Sequence, residues 1–362
     1  MQIITSRFSA LTLAAGALLS ALNAPLSTVV AQTVFVANNS GSTTTAFTIL
    51  KFDAFGNGGI WVSNNGYSGS AWEVPAGVAL DNGGNLFVAY SGGSSNFIRK
   101  FDAAGHGTIF ASFATNFVPG IIAFDNHSNL FVVRHGSTNN IEKFSPAGAD
   151  LGVFGNLAMQ WPDALAFDSQ GNLFASDLFG QQILKFNTNG QGTVFVTGDY
   201  YRGLAFDSSD NLYVGVGWNI DKFATNGASL GTLALRPGEF ASQGMIFDTN
   251  GNLYFSDYLN NAICKFDALG REFTFATFPG NNDLESIAVQ SSSKPELLIA
   301  PLAGSKVLLN WPGWAANYLV QTSTNLASTN WIDSAGSPFT GGGRCWVTNA
   351  VSGKAMFYRL RK

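Results

Sequence analysis

Apolar and polar positions along this chain fall into short runs that return at a regular interval. Residues 161–197, WPDALAFDSQGNLFASDLFGQQILKFNTNGQGTVFVT, carry the cleanest copy. Leu165-Ala166-Phe167 is an apolar run that ends at Asp168, and the segment from Asp168 to Asn172 has the chemistry of a tight turn. An Asp side chain accepts from backbone N–H groups two residues on, and Gly tolerates positive φ. Leu173-Phe174-Ala175-Ser176, Ile183-Leu184-Lys185-Phe186 and Thr193-Val194-Phe195-Val196 read as three further strands, rich in β-branched and aromatic residues.

The copies align by hand. The first run returns as Val78-Ala79-Leu80, Ile122-Ala123-Phe124, Leu204-Ala205-Phe206 and Met245-Ile246-Phe247, each followed by Asp. The Asn that opens the second strand stands at Asn85, Asn129, Asn172, Asn211 and Asn252, so the spacings are 44, 43, 39 and 41 residues. The third strand ends in Lys-Phe at Lys51, Lys100, Lys143, Lys185, Lys222 and Lys265. A period near 40 with four strands per copy is the signature of propeller blades. One such sheet cannot bury both faces alone, whereas blades stacked around an axis cover one another. Six Lys-Phe copies predict six blades. The first copy, 33–62, lacks its first strand, and Ile287-Ala288-Val289 supplies one after the sixth copy. The end of the propeller would thus complete the blade begun at its start, which hides two sheet edges.

The expected fold class is all-β, a six-bladed β-propeller followed by a small β-sandwich. Residues 1–31 read as a secretory signal peptide, with Arg7 before an apolar run at 11–22 and Ala31 before Gln32, and with an uncleaved membrane anchor as the alternative because 8–31 carries no charge. Residues 32–290 would be the propeller, with 284–290 as the closing strand. Residues 291–295 read as a linker, and 296–362 as the sandwich, with strands at 307–311, 318–322, 331–334, 345–348 and 356–360. The composition, 46% apolar and 12% charged with 41 glycines, fits a globular β protein. A net charge of −4 and the absence of a basic cluster argue against nucleic acid as a partner. No second apolar span follows the leader, so the mature chain is expected to lack a membrane span. It is expected to be monomeric and secreted, at an extracellular, cell-surface or periplasmic location. Cys264 and Cys345 read as separate thiols, with a disulfide between them as the alternative.

The repeat resembles the NHL-type propeller repeat, within the wider group that contains the gluconolactonase and regucalcin enzymes. The matching residues are the apolar run ending in Asp, then Gly-Asn-Leu-Phe or Gly-Asn-Leu-Tyr-Phe-Ser-Asp, then Ile-x-Lys-Phe-x-x-x-Gly, over about 32–290. The C-terminal stretch is similar to a fibronectin type III module in Leu309-Asn310-Trp311-Pro312, Tyr318-Leu319-Val320 and Phe357-Tyr358-Arg359-Leu360, with a seventh strand missing. The resemblance implies a fold more than an activity, because such propellers include lactonases, lyases and non-catalytic binding modules.

Turns after the first and third strands are short and uniform and read as structural. Connections after the second and fourth strands vary in length, and variable loops on a rigid scaffold are where function is usually placed. The candidate ligand-binding residues there are Arg134, His135, Asp163, Tyr201, Arg202, Trp218 and Glu285, with Trp72, Trp161, Tyr200 and Asp283 on the same face. Asp177 and Asp257, each in a Ser-Asp pair ending a second strand, read as braces for the loops. With three histidines, His106, His127 and His135, a three-His zinc site is implausible. The chain has neither a Gly-x-Ser-x-Gly elbow nor a phosphate-binding loop. The expected function is therefore a secreted module that binds a small molecule, a glycan or a protein through the variable face. The alternative is a lactonase or lyase dependent on a divalent metal such as calcium, with Glu285 and Asp163 as metal ligands. The resemblance implies that role for Glu285, which enters a first strand where the gluconolactonase group places a metal-binding Glu. The Gly-Pro that normally follows is absent.

Overall fold

The Asp turn recurs with the same atoms from blade to blade. Asp168 Oδ1 accepts the backbone N–H of Gln170 and Asn172 at 3.0 and 2.8 Å, while Oδ2 accepts from Asn172 Nδ2 at 2.8 Å. Asp81, Asp125, Asp207 and Asp248 do the same. A carboxylate that gathers three donors fixes the turn, and the turn fixes the register of the two strands it joins. In the computed structural model, described for residues 4–6, 32–39, 48–63, 73–92, 96–234, 241–278, 284–291, 295–302, 306–325, 330–334, 336–341, 344–350 and 356–362, these turns organise six four-stranded antiparallel sheets.

Blade four shows the pattern in full: Pro162–Phe167, Leu173–Asp177, Gln182–Phe186 and Gly192–Thr197, paired in that order. The first strands of blades two, three, five and six are Val74–Leu80, Val118–Phe124, Leu204–Phe206 and Ala241–Phe247. Blade one is discontinuous in sequence. Its first strand is Leu284–Gln290, which pairs with Thr33–Asn38, followed by Thr48–Phe52 and Gly58–Ser63. The propeller is thus six-bladed and closed by its own last strand. These strands belong to one compact unit, Gln32–Ser291.

The recurrent Lys has a structural reason. Lys185 lies directly opposite Phe174 across the second and third strands, and its Nζ stands 5.0 Å from the ring centroid. Lys51 over Phe35, Lys100 over Phe87, Lys143 over Phe131, Lys222 over Tyr213 and Lys265 over Tyr254 repeat the contact at 4.7 to 5.5 Å. Where the turn Asp is in reach the ammonium also pairs with it, at 3.3 Å for Asp81 and 3.4 Å for Asp207. The aromatic beneath joins one blade to the next. Phe87 meets Phe124, Phe131 meets Phe167, Phe174 meets Phe206 and Tyr213 meets Phe247, all edge-on at 4.8 to 5.1 Å. Six apolar clusters fill the six gaps between neighbouring blades. At the seam between blades six and one, Gln32 replaces a ring contact by donating to Asp248 Oδ2 and Tyr254 Oη, both at 2.7 Å.

A second unit comprises the C-terminal residues from Ser292 and a strand at Ile4–Ser6. It has two four-stranded sheets. One contains Leu298–Leu302, Lys306–Pro312, Arg344–Ala350 and Phe339–Gly341; the other contains Ile4–Ser6, Met356–Arg361, Leu319–Ser323 and Ile332–Asp333. Their shared core is built on Trp311, Leu309, Val320 and Tyr358. The strands at 298–302 and 339–341 were not expected from the sequence. Apart from Ile4–Ser6, the expected leader lies outside the described residues, as does 292–294 of the expected linker. Among the described residues no helix is long and apolar enough to cross a membrane. Cys264 and Cys345 are both buried free thiols.

The aromatic at the second-strand position should outweigh the Lys above it. Phe174→Ala is expected to cost ~3–5 kcal/mol, because it leaves a cavity where two blades meet. Lys185→Met is expected to cost about 1 kcal/mol, since its contacts are partly solvated. Chemical denaturation of both variants checks the ranking, and equal costs would contradict it.

Candidate functional site

The first strands surround a central cavity of about 370 Å³. Its lining is contributed by all six blades; the side chains are apolar except for Ser286, whose Oγ accepts the Val78 N–H at 3.1 Å, and the strand backbones add polar surface. The register of these strands slips at one end. In blade four Pro162 faces Asp177 and Ala164 faces Ser176, so Asp163 is an extra residue. In blade one Leu284 faces Asn38 and Ser286 faces Ala37, which leaves Glu285 over. Ala76 is the extra residue in blade two, and blade three has the same slip between Pro119 and Ile122. A β-bulge bends its strand and re-aims the side chain it carries.

The repeat gives the equivalent position in every blade. Asp163 stands five residues before Asp168; the counterparts are Ala76, Gly120, Arg202, Gln243 and, before Gln290 in place of Asp, Glu285. This ring of six positions, which immediately precedes the cavity-lining residues, holds three of the candidates: Asp163, Arg202 and Glu285. Asp163 is 2% exposed, and Arg202 Nη1 lies 3.8 Å from its Oδ2. A buried carboxylate requires such a partner, because burial alone would drive it to protonate. Glu285 Oε1 accepts from Asn39 Nδ2 at 2.9 Å. The ring therefore sets two carboxylates and one guanidinium beside a cavity whose lining side chains are apolar.

The other candidates fall elsewhere. Arg134 is occupied by Glu142, at 3.2 Å, and by the ring of Phe117, 5.0 Å away. Its position argues for bracing the sheet rather than touching ligand. Tyr201 is buried in the core between blades four and five, edge-on to Phe223 at 6.4 Å. A candidate ligand residue on the variable face, it instead packs its ring into the core between blades; burial pushes its hydroxyl pKa up, with Asp199 and Asp221 adding to the shift. Trp218 is 56% exposed in the turn between the second and third strands of blade five. Trp72 and Asp283 lie outside the described residues.

His135 ends the second strand of blade three and stacks on Trp161, with centroids 4.4 Å apart and planes at 25°. Gly120, the ring position of that blade, makes room for it: a Cβ there would stand 2.8 Å from His135 Nε2. The imidazole thereby sits beside the ring although His135 is not a ring residue. Burial lowers its pKa below 6.5, with Asn139 opposing the shift. Asp177 and Asp257 do brace loops. Asp177 Oδ1 accepts the N–H groups of Gln160 and Trp161 at 2.9 and 2.7 Å, and Asp257 accepts from Leu259 N and Asn260 Nδ2 at 3.2 and 2.7 Å. Gly120 and Phe179, whose ring lies 5.8 Å from that of Trp161, were missed in the sequence. Gly120 was legible as the glycine at a ring position, once the copies are aligned back to that register.

A divalent metal on Glu285 and Asp163 was the alternative expectation. Asp163 already faces a guanidinium, which competes with any cation there. Among the described residues no three His, Cys, Asp or Glu side chains converge. The described residues do not fit a metal centre built on that pair.

No family pattern matches the chain, and no curated protein does. Solved structures share its fold. A protein of unknown function from Bacteroides caccae is 14% identical with a TM-score of 0.50, covering 72% of this chain and 98% of that one. A streptogramin B lyase is 17% identical with a TM-score of 0.46, covering 79% and 93%. A gluconolactonase from Xanthomonas campestris is 16% identical with a TM-score of 0.46, covering 78% and 90%. At such identities the likeness is one of fold.

The depressed pKa of His135 links stability to pH. The unfolded chain, with an ordinary histidine, binds more protons than the folded one between the lowered pKa and 6.5. The His135 contribution is therefore whole above about pH 6.5, declines as pH falls through that window, and levels off below the folded pKa. The difference in Tm between the protein and His135→Gln, followed from about pH 8 to 5, should shrink on acidification. A pH-independent difference would contradict the lowered pKa.

Proposed function

We propose that this protein binds a small polar molecule at the mouth of its central channel. The observation that carries this reading is the ring itself. A scaffold otherwise uniform from blade to blade places Glu285, Asp163 and Arg202 at one register position, two of them on β-bulges, next to a cavity lined by apolar side chains and strand backbone. Concave apolar sites with a few convergent polar groups are the usual form of a small-molecule site. Arg202 suits a carbonyl or carboxylate oxygen, because a planar guanidinium offers several donors in a fixed fork.

A second reading is enzymatic: hydrolysis of a lactone, or a lyase reaction, at the same mouth. What favours it is a carboxylate and a guanidinium on one ring. Glu285 would take a proton from water or substrate, and Arg202 would hold the oxyanion that develops. Two solved structures of like fold are a streptogramin B lyase and a gluconolactonase. That likeness extends to the fold alone, so the enzymatic reading stands on Glu285 and Arg202. We likewise propose secretion, an NHL affiliation and a fibronectin-like C-terminal module, supported by the leader-like residues 1–31, the repeat motifs and the Leu309–Pro312, Tyr318–Val320 and Phe357–Leu360 segments.

Thermal-shift screening of the full chain against small organic acids and lactones tests both readings. Arg202→Ala should weaken any hit by tenfold or more, the loss of about one charge-assisted hydrogen bond. Acid release from a lactone that disappears in Glu285→Gln would establish the enzymatic reading. Hits indifferent to both substitutions would move the site away from the channel mouth.

A further inference from the structure

Beside the ring stands a fixed aromatic corner. Trp161 is 39% exposed, yet its backbone is clamped on both sides: its N–H donates to Asp177 Oδ1 at 2.7 Å and its carbonyl accepts from Leu178 N at 2.9 Å. Asp177 is fully buried and also takes Gln160 N and Gln182 Nε2, so the clamp is anchored in blade four. His135 supports the indole by parallel stacking, and Gly120 is the residue that lets the imidazole reach it. Phe179, 57% exposed, inclines at 50° to the indole and forms the second side of the corner. Holding a large apolar ring rigid at the surface makes sense if something lies against it, because a pre-ordered aromatic loses little entropy on binding.

Trp161 is two residues before Asp163, a distance of at most about 7 Å along the backbone. Asp163 reaches Arg202, whose side chain keeps 33% of its surface in solvent. The apolar corner of blade four and the guanidinium of blade five are thus neighbours linked through Asp163. Resting on the channel-mouth reading above, we propose that the ligand is an aryl carboxylate, its ring against Trp161 and Phe179 and its carboxylate on Arg202. The chemistry of the corner favours an aromatic ring over a saccharide. A sugar ring needs partners for several hydroxyls, but the oxygens of Asp177 beside Trp161 are already engaged by Gln160, Trp161 and Gln182, and the second wall is Phe179. An aryl ring asks only for faces and edges, which tilted and stacked neighbours supply. The carboxylate then gains the bidentate geometry that a guanidinium provides.

Titration of the full chain with phenylacetate, benzyl alcohol, cyclohexylacetate and glucuronate, followed by calorimetry and by indole fluorescence, tests the proposal. Phenylacetate should bind tighter than the other three by tenfold or more. Trp161→Leu should lower its affinity at least tenfold, and Trp161→Phe, which keeps a ring, should restore most of it. Arg202→Ala should weaken phenylacetate and leave benzyl alcohol unchanged. Glucuronate binding better than phenylacetate, with Arg202→Ala still harmful, would overturn the aryl class and leave the mouth reading standing. Binding of phenylacetate that ignores both Trp161→Leu and Arg202→Ala would overturn both readings. Absence of binding by every probe would overturn the aryl carboxylate. Unchanged Tm in Trp161→Phe shows that the fold survives the substitution.

Discussion

Each blade is held to the next by one aromatic side chain on its second strand. Phe174 lies under Lys185 of its own sheet and edge-on to Phe206 of the following blade. The same side chain therefore serves strand pairing within a blade and packing between blades. This constraint explains why the second-strand position is Phe or Tyr in all six copies. It also explains the long aliphatic stem and charged head of the facing Lys, which covers the ring while staying wet. The turn Asp completes the arrangement by fixing register, without which the alternating side chains would change faces.

A scaffold so repetitive leaves little freedom along the strands, and the departures from the repeat are where chemistry collects. The shared register position is Ala76 in one blade and Gly120 in the next, residues with nothing to project, yet it is Asp163, Arg202 and Glu285 elsewhere, with Asp163 and Glu285 on bulges. A bulge lets a strand keep its apolar contacts with the cavity and still present one extra side chain at the mouth. Asp163 shows the electrostatic condition attached: nearly dry, it has the guanidinium of Arg202 on the neighbouring blade 3.8 Å away. The mouth is charged by pairing, and the side chains lining the cavity below it are apolar by the repeat.

Much of this was legible in the sequence. Spacing and Lys-Phe copies give six blades, and the absent first strand of copy one gives the closure by Leu284–Gln290. Asp163, Arg202 and Glu285 were recognisable as charges near first-strand entries, but their common ring required knowing which residue each strand skips. A bulge changes pairing by one residue and leaves no compositional mark. Tyr201 misled for a related reason. It adjoins the exposed Tyr200, and alternation at the end of a loop does not reveal which ring turns inward to meet Phe223. Arg134 looked available because its partner Glu142 lies across the hairpin, where only the strand register shows the two side chains meeting. The strands 298–302 and 339–341 escaped because Pro, Gly and Ala interrupt their apolar pattern.

The closing strand ties the site to the integrity of the ring. Glu285 is its second residue, and Asn39, which holds the Glu285 carboxylate, follows the strand it pairs with at the other end of the propeller sequence. Asp163 and Arg202 come from blades four and five, formed by contiguous chain. The first two carry their partners locally in sequence, whereas Glu285 meets Asn39 across 246 residues. Gln32 secures the same seam by joining the start of the chain's propeller to Asp248 and Tyr254 of blade six. A sheet edge is the part of a structure that opens first, since it has partners on one side. Placing a site residue on the closing strand therefore makes the three charged positions complete only when the last blade is shut. An open propeller would keep the Asp163–Arg202 pair and lose the opposing carboxylate.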